Sequence, residues 1–141
     1  QVIHLCGKDK LDASLNGTEG YVQFEYIKDE LPDLFAAADL IISRAGANAI
    51  CEISALAKPN ILIPLSANAS RGDQILNARS FERQGYSKVL EEESVNAQTL
   101  QSAIREVYEK PSDLISMTMK KSSHTDSIGR ILSLIQECER K

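Results

Sequence analysis

The chain contains 141 residues, of which 43% are hydrophobic and 26% charged, a composition typical of one soluble globular domain with its own core. A formal net charge of −4 without a stripe of Lys and Arg, together with four Tyr, three Phe and no Trp, argues against nucleic-acid binding. Apolar runs such as Ile61–Ile63 are far too short to span a bilayer. The cysteines Cys6, Cys51 and Cys138 are widely spaced, which favours reduced thiols of a cytosolic protein over a zinc site.

Short apolar runs alternate with helical segments along the first two thirds of the chain. Five runs are predicted to be strands: Val2–Leu5, Tyr21–Phe24, Leu40–Ser43, Asn60–Ile63 and Ser87–Leu90. Three helices are predicted between them: Leu31–Ala38, Asn48–Ala57 and Gln74–Gln84. Strands separated by helices of this length indicate βαβ units and a mainly parallel sheet. The predicted fold class is therefore α/β and Rossmann-like, with helices on both faces of the sheet, because continuous apolar strands are typical of a sheet covered on both sides.

The last third of the chain is predicted to be helical. Asn96 is of a residue type that caps helices, and a helix with one apolar stripe is predicted over Ala97–Glu109, ended by Pro111. A short helix is predicted over Asp113–Lys121, and a final amphipathic helix over Asp126–Glu139. No internal repeat or linker interrupts the pattern, so the chain is interpreted as one domain.

The segment Ser43–Glu52 is the most informative part of the sequence. It follows the apolar run Leu40–Ile42 and opens a helix, and the backbone N–H groups and dipole of a helix start suit a phosphate or diphosphate. Glu52 lies about two turns into that helix, within reach of the hydroxyls of a nucleotide ribose. The alternative is an ordinary βα turn in which Gly46 relieves backbone strain and Glu52 lies in solvent. The pattern of small residues leaves both interpretations open.

Several short motifs follow one another at a specific spacing. They are His4–Lys8, Tyr26-Ile27, Ala38-Asp39, Ser43–Ala47 with Glu52, Lys58-Pro59, Ile63-Pro64, and Asp73-Gln74 with Asn77-Ala78. Over nearly its whole length the chain resembles the C-terminal, nucleotide-sugar-binding half of MurG-type peptidoglycan N-acetylglucosaminyltransferases. The resemblance implies one half of a GT-B glycosyltransferase, an inverting hexosyltransferase that moves N-acetylglucosamine from UDP-N-acetylglucosamine (UDP-GlcNAc) to the undecaprenyl-diphospho-muramoylpentapeptide, the step from lipid I to lipid II.

The resemblance also implies a diphosphate and ribose site. Ala45 and Gly46 belong to its turn, and Ala47 and Asn48 would supply backbone N–H groups to the diphosphate of the donor. Glu52 would accept hydrogen bonds from both ribose hydroxyls, since a charged acceptor strengthens each bond.

The same resemblance assigns the two ends of the donor. Tyr26 and Ile27 match the uracil site, and Asp73 and Gln74 match the pair that reaches the hydroxyls of the sugar. For Asp73 the alternative is a helix N-cap, because Asp is a favoured residue there. Arg44 is expected to hold the turn through hydrogen bonds, with screening of phosphate charge as its alternative.

Three further positions refine this site. Asn77 is expected to hold the loop rather than to touch the ligand. Ala49 stands where the family commonly has a small hydroxyl residue, and Asp73 stands where other members often have an amide. Ala49 removes one possible polar contact to the donor, and Asp73 would place a negative charge near the sugar, so both departures bear on which donor sugar the site prefers.

The resemblance implies that residues 1–141 are a C-terminal domain without its first strand and glycine-rich loop, and without the N-terminal acceptor domain. The acceptor site, the catalytic base and the membrane-contacting patch are expected on that other half. No catalytic residue is therefore expected in this chain, which alone should bind the donor weakly and transfer nothing. Finding the strand at Val2–Leu5 hydrogen-bonded directly to the strand at Leu40–Ser43 would refute the prediction that a strand is missing between them.

The expected partners are UDP-GlcNAc and a lipid-linked acceptor, with no nucleic acid. The chain has no Asp-x-Asp metal motif, and neither a metal nor a cofactor is expected. The full-length protein is expected in the bacterial cytoplasm, peripheral to the inner face of the cell membrane.

Other interpretations stay open from the sequence. One is a GT-B transferase that acts on another lipid acceptor, and another is a non-catalytic nucleotide-sugar-binding subunit of a split transferase. A dinucleotide-binding Rossmann protein has the least support, because no G-x-G-x-x-G motif follows a strand.

Overall fold

The computed structural model describes residues 1–69, 71–109 and 127–139, and it divides the chain into two compact units, residues 1–37 and residues 38–141. Twelve elements are found in the described residues. In chain order they are β1 (Val2–Leu5), a 3₁₀ turn (Ala13–Leu15), β2 (Tyr21–Phe24), α1 (Leu31–Ala37), β3 (Ile41–Ser43), α2 (Ala47–Ala55), β4 (Asn60–Leu62), α3 (Asp73–Arg83), β5 (Lys88–Val89), a second 3₁₀ turn (Glu92–Ser94), α4 (Ala97–Glu109) and α5 (Ser127–Glu139).

The first unit contains a two-stranded parallel sheet. β1 pairs with β2, with Val2 opposite Tyr21. The segment that joins the strands is held against β2 by the side chain of Gln23, whose Nε2 donates to the carbonyl of Asp12 at 2.6 Å while its Oε1 accepts from the N–H of Asp12 at 3.0 Å. Both polar groups of the Asp12 backbone are thereby satisfied although the crossover contains only a 3₁₀ turn and no α-helix.

The second unit contains a three-stranded sheet in the order β3-β4-β5, and both pairs are parallel. Ile41 lies opposite Asn60, and Ile61 lies opposite Lys88. Because α2 joins β3 to β4 and α3 joins β4 to β5, the unit contains two βαβ crossovers. The predicted parallel α/β fold is confirmed.

The core of the second unit is built around β4. Ile61 and Leu62 are 0% and 1% exposed, so the middle strand of this sheet is fully covered. α4 closes the core with its predicted apolar stripe, since Val107 is buried and Ile104 packs against the same cluster. The cluster consists of Ala57, Ile61, Tyr86, Ala103 and Val107. This apolar burial is the main source of stability that the structure offers.

The start of α4 is fixed by Asn96, as predicted. Its Oδ1 accepts from the N–H groups of Gln98 at 3.0 Å and Thr99 at 2.9 Å, and the Thr99 hydroxyl accepts from the Asn96 N–H at 2.9 Å. These reciprocal bonds satisfy backbone donors that a helix start otherwise leaves unpaired.

β1, β2 and α4 have their predicted bounds, and the other predicted strands and helices of the described residues have ends shifted by one or two residues. The prediction of α2 to Ala57 was wrong by two residues, because Ala57 has φ +50 and a left-handed residue cannot continue the helix. α3 begins at Asp73, one residue before its predicted start. The helix predicted over Asp113–Lys121 lies outside the described residues.

Two findings concern the edges of the fold. β1 and β3 are not hydrogen-bonded neighbours in either sheet, and the missing strand between them stays a prediction. Four apolar side chains of α5 are half or more exposed, namely Ile131, Leu132, Leu134 and Ile135. Within residues 1–69, 71–109 and 127–139, no helix combines the length and the apolar character that a membrane crossing needs.

Candidate functional site

The turn between β3 and α2 leaves the start of α2 without a side-chain cap. Gly46 is the N-cap residue, and the first helical hydrogen bond runs from the Ile50 N–H to the Gly46 carbonyl at 3.0 Å. The N–H groups of Ala47, Asn48 and Ala49 precede this bond, so they have no acceptor within the helix. Ala47 and Asn48 are exposed. An anion bound at this helix start would meet several donors and the positive end of the helix dipole.

The backbone at Gly46 is not strained. Its φ of −69° and ψ of 145° are open to any residue, so the interpretation that glycine relieves strain here was wrong. A Cβ added at this position would meet no atom within 4 Å. Within the described residues, the space beside Gly46 at the start of α2 is therefore open.

Glu52 lies on α2 beyond this turn. It is exposed, and five residues separate it from Ala47, which corresponds to about 7.5 Å along the helix axis. That spacing is comparable to the distance between the diphosphate and the ribose hydroxyls of a nucleotide. The exposure also agrees with the alternative in which Glu52 is simply solvated.

Arg44 connects the turn to the end of the neighbouring strand. Its Nη1 donates to the carbonyl of Ile63 at 3.4 Å, and its Nη2 lies 2.7 Å from Glu92 Oε1. The other carboxylate oxygen of Glu92 accepts from the N–H of Ser66 at 2.9 Å. These contacts agree with the expectation that Arg44 holds the turn.

Glu92 is the residue of this region that sequence reasoning missed. The hydrogen bond from the Ser66 N–H, and then the one from the Arg44 side chain, lower the pKa of Glu92 below its ordinary value. Glu92 stands in the run Glu91–Glu93, which is typical of a solvated acidic stretch. The sequence carries no signal that distinguishes the middle carboxylate, since its partners are 26 and 48 residues away.

The loop before α3 positions the predicted sugar-binding pair. Gly72 is the N-cap of α3, with φ +84°, and Asp73 is the first helical residue. The alternative role of Asp73 as N-cap was therefore wrong, because the cap position is one residue earlier. Asp73 is exposed, and Gln74 uses its Oε1 to accept from the N–H of Leu65 at 3.1 Å. A carboxylate in the first turn is favourable to the helix dipole.

Asn77 links α3 to the turn before α2. Its Nδ2 donates to the carbonyl of Ala45 at 3.4 Å, and Ala45 is fully buried. This contact agrees with the expected role of Asn77 in holding the loop. Arg44, Ala45, Gln74 and Asn77 thus belong to one set of hydrogen bonds at the carboxyl ends of β3 and β4.

The predicted uracil-site residues lie in the first unit, directly after β2. Tyr26 is 66% exposed, and Ile27 is half-buried. The adjacent Glu25 accepts from the N–H of Asp9 through its Oε1 at 2.9 Å, and Asp9 has φ +59°. The hydrogen bond fixes a left-handed residue near the end of β2, in a conformation that Asp tolerates better than most residues.

Comparison with known proteins adds an independent line of evidence. Residues 1–131 match the glycosyltransferase family 28 C-terminal domain. The chain is 61% identical over 137 residues to a UDP-N-acetylglucosamine--N-acetylmuramyl-(pentapeptide) pyrophosphoryl-undecaprenol N-acetylglucosamine transferase of Lachnospira eligens, covering 97% of this chain and 38% of that protein. A protein of the same name from Lachnoclostridium phytofermentans is 60% identical over 141 residues, covering 100% of this chain and 39% of that protein.

A solved structure supports the fold. The crystal structure of Acinetobacter baumannii MurG superposes with a TM-score of 0.75 at 19% identity, covering 97% of this chain and 40% of that chain. The expected GT-B relationship and the resemblance to the C-terminal half are confirmed, and the chain spans about two fifths of the length of the relatives it matches. With a family match over residues 1–131 of 141, the chain belongs to the glycosyltransferase family 28 C-terminal domain family.

Proposed function

We propose that this chain is the donor-binding part of a longer transferase that moves N-acetylglucosamine from UDP-GlcNAc to an undecaprenyl-diphospho-muramoylpentapeptide. Relatives about 60% identical over nearly the whole chain carry names that specify this donor and this acceptor. The structural observation that carries the proposal is the uncapped, unobstructed N-terminus of α2 at Gly46.

At that helix start the chain supplies leaving-group stabilisation. Transfer breaks the bond between the sugar and the diphosphate, so negative charge develops on the departing UDP. In the proposed site the N–H groups of Ala47 and Asn48 face that charge, and the helix dipole adds to their effect. Backbone donors are already oriented before the reaction, which makes their stabilisation effective.

The remaining contacts give the site its selectivity. Glu52 is proposed to accept from both ribose hydroxyls, and Tyr26 and Ile27 to cover uracil. Asp73 and Gln74 are proposed to reach the sugar hydroxyls. Gln74 already binds the Leu65 N–H with its Oε1, so its amide nitrogen is the group assigned to the sugar.

The other functions are proposed to belong to the rest of the protein. These are the acceptor site, the base that deprotonates the acceptor hydroxyl, and contact with the inner face of the bacterial membrane. On this proposal the first strand and glycine-rich loop of the domain also lie outside residues 1–141. The chain alone then binds donor weakly and transfers no sugar.

The test is a calorimetric titration of the chain with UDP-GlcNAc, with UDP-glucose and NAD as controls. Selective binding of UDP-GlcNAc supports the proposal, whereas equal binding of UDP-glucose favours a transferase with another donor. Glu52→Ala should weaken UDP binding by about 1.5–3 kcal/mol, the usual loss of hydrogen bonds to a charged group. Glu109→Ala, at another exposed helical glutamate, is the matched control and should leave the affinity unchanged. No binding by a folded sample, or an unaltered affinity in Glu52→Ala, would contradict the assignment.

A further inference from the structure

We propose that Glu92 is a positioning residue for the donor. Its side chain joins the turn before α2 to the loop after β4, and so it sets the spacing between the groups proposed to contact the diphosphate and those proposed to contact the sugar. This inference rests on the proposed function. It concerns a side chain that touches no part of the proposed donor and acts through Arg44 and Ser66.

The geometry places Glu92 at the junction of three strand ends. Arg44 directly follows β3, Ser66 lies in the loop after β4, and Glu92 follows β5. The carboxyl ends of parallel strands meet at one edge of a sheet, the edge where α/β proteins bind ligands. Glu92 is therefore in a position to connect all three segments, and its two bonds of 2.7 and 2.9 Å do so.

The two bonds lead to the two loops that carry proposed donor contacts. On one side, Arg44 is adjacent to the turn that precedes Ala47. On the other side, Ser66 is adjacent to Leu65, whose N–H is bound by Gln74. Displacement of either loop would change the spacing between the diphosphate donors and the sugar-binding pair.

Only a carboxylate satisfies both neighbours. Each Glu92 oxygen accepts from a different donor, a guanidinium on one side and a backbone N–H on the other. Glutamine has one acceptor oxygen, so its NH₂ group would face one of these donors whichever way the amide is turned. Glu92→Gln thus breaks one connection while it keeps the shape of the side chain.

The side chains of Glu92 and Arg44 are partly exposed, which fits a role in positioning better than a role in stabilising the fold. The side chains of Arg44 and Glu92 are 51% and 31% exposed, and ion pairs of this kind contribute little to stability. The chain provides a matched ion pair in Arg79 and Glu91, whose side chains are 46% and 33% exposed, and Arg79 lies on α3 rather than in either loop. Glu91→Gln therefore removes a comparable ion pair without touching the proposed connection.

The test compares versions of the full 141-residue chain by UDP-GlcNAc titration, thermal melting and two-dimensional amide NMR. They are the unaltered chain, Glu92→Gln, Glu91→Gln, and Arg44→Lys with and without Glu92→Gln. We expect Glu92→Gln to shift the Ser66 amide resonance and to weaken UDP-GlcNAc binding about fivefold. Its melting temperature should change no more than that of Glu91→Gln, which should bind like the unaltered chain. In the Arg44→Lys background, Glu92→Gln should weaken binding by less than about twofold, because the Arg44 substitution has already disturbed the contact between these two side chains.

The failures are distinguishable. If the unaltered chain binds UDP-GlcNAc and Glu92→Gln binds it equally well, the positioning role is overturned while the proposed function stands. If the unaltered, folded chain binds no UDP-GlcNAc, the proposed function fails and this inference fails with it. Loss of the folded NMR spectrum in Glu92→Gln would also overturn the inference, since the residue would then support the fold itself.

Discussion

Replacing Gly46 by serine should stabilise the chain and at the same time weaken donor binding. The backbone at Gly46 has φ −69° and ψ 145°, and a Cβ would meet no atom within 4 Å, so serine fits without strain. Its hydroxyl can accept from the N–H of Asn48 or Ala49, which supplies the cap that α2 lacks. Together with the reduced freedom of the unfolded chain, the gain should be roughly 0.5–1.5 kcal/mol. For a domain of this size the melting temperature should rise by about 2–5 °C.

The same hydroxyl would occupy an N–H group that the proposed site offers to the diphosphate. Loss of one charge-assisted hydrogen bond corresponds to about 1.5–3 kcal/mol, which is a tenfold to hundredfold weaker affinity for UDP-GlcNAc. Differential scanning fluorimetry gives the first quantity, and calorimetric titration gives the second. The melting temperature is expected to rise while the affinity for UDP-GlcNAc falls. This combination is informative, because damage to the fold would lower both the melting temperature and the affinity.

Gly72→Ser provides the matched comparison. Gly72 also caps a helix and also has open space around a Cβ, but its φ of +84° is left-handed. Serine there should cost about 1–2 kcal/mol of stability. A fall in melting temperature for Gly46→Ser would refute the account of an unstrained, uncapped turn. A rise in melting temperature with full UDP-GlcNAc affinity would contradict the proposal that the diphosphate binds at this helix start.

Two further predictions concern stability. Asn96→Ala should lower the free energy of unfolding by about 1 kcal/mol, because two N–H groups of α4 lose their acceptor, and urea denaturation of the folded chain should show it. The second prediction concerns the loss of stability as the pH falls. The pKa of Glu92 is lowered by the Ser66 N–H and Arg44, and that of Asp12 by hydrogen bonds from Ser14. A folded pKa below the unfolded value gives stability that is present above the unfolded pKa and lost as the pH falls through the folded one. Melting temperatures between about pH 5 and pH 3 should therefore fall less steeply in Glu92→Gln than in the unaltered chain, and parallel slopes would contradict the lowered pKa of Glu92.

Local signals in the sequence were sufficient for most of the fold. Asn96 caps α4 through residues two and three positions away, so the interaction that starts this helix is visible in the sequence itself. β1 and β2 were likewise found with their predicted bounds, since each is a short apolar run with clear limits. The end of α2 was not predictable in this way, because Ala57 is left-handed, a conformation that alanine does not itself favour.

The candidate site was predicted in part. The turn at Gly46 and the carboxylate of Glu52 follow from a strand that runs into a helix, which is a local pattern. Glu92 could not be found in this way, since its importance depends on where β5 ends relative to Arg44 and Ser66. Short-range patterns identify the groups that could face a ligand, whereas the contacts that hold those groups in place are long-range.

The uncapped start of α2 is a local weakness that the rest of the unit compensates. A serine cap would be compatible with the backbone, so nothing in the conformation of Gly46 requires glycine. The contacts of Arg44, Glu92 and Asn77 hold the turn in place without using the helix-start N–H groups. A turn held in this way lowers the ordering cost of binding an anion, because the donors are already oriented before the ligand arrives. On the proposed function, the missing cap costs a small amount of helix stability and leaves the helix-start N–H groups to the diphosphate, which is the arrangement that Gly46→Ser is designed to reverse.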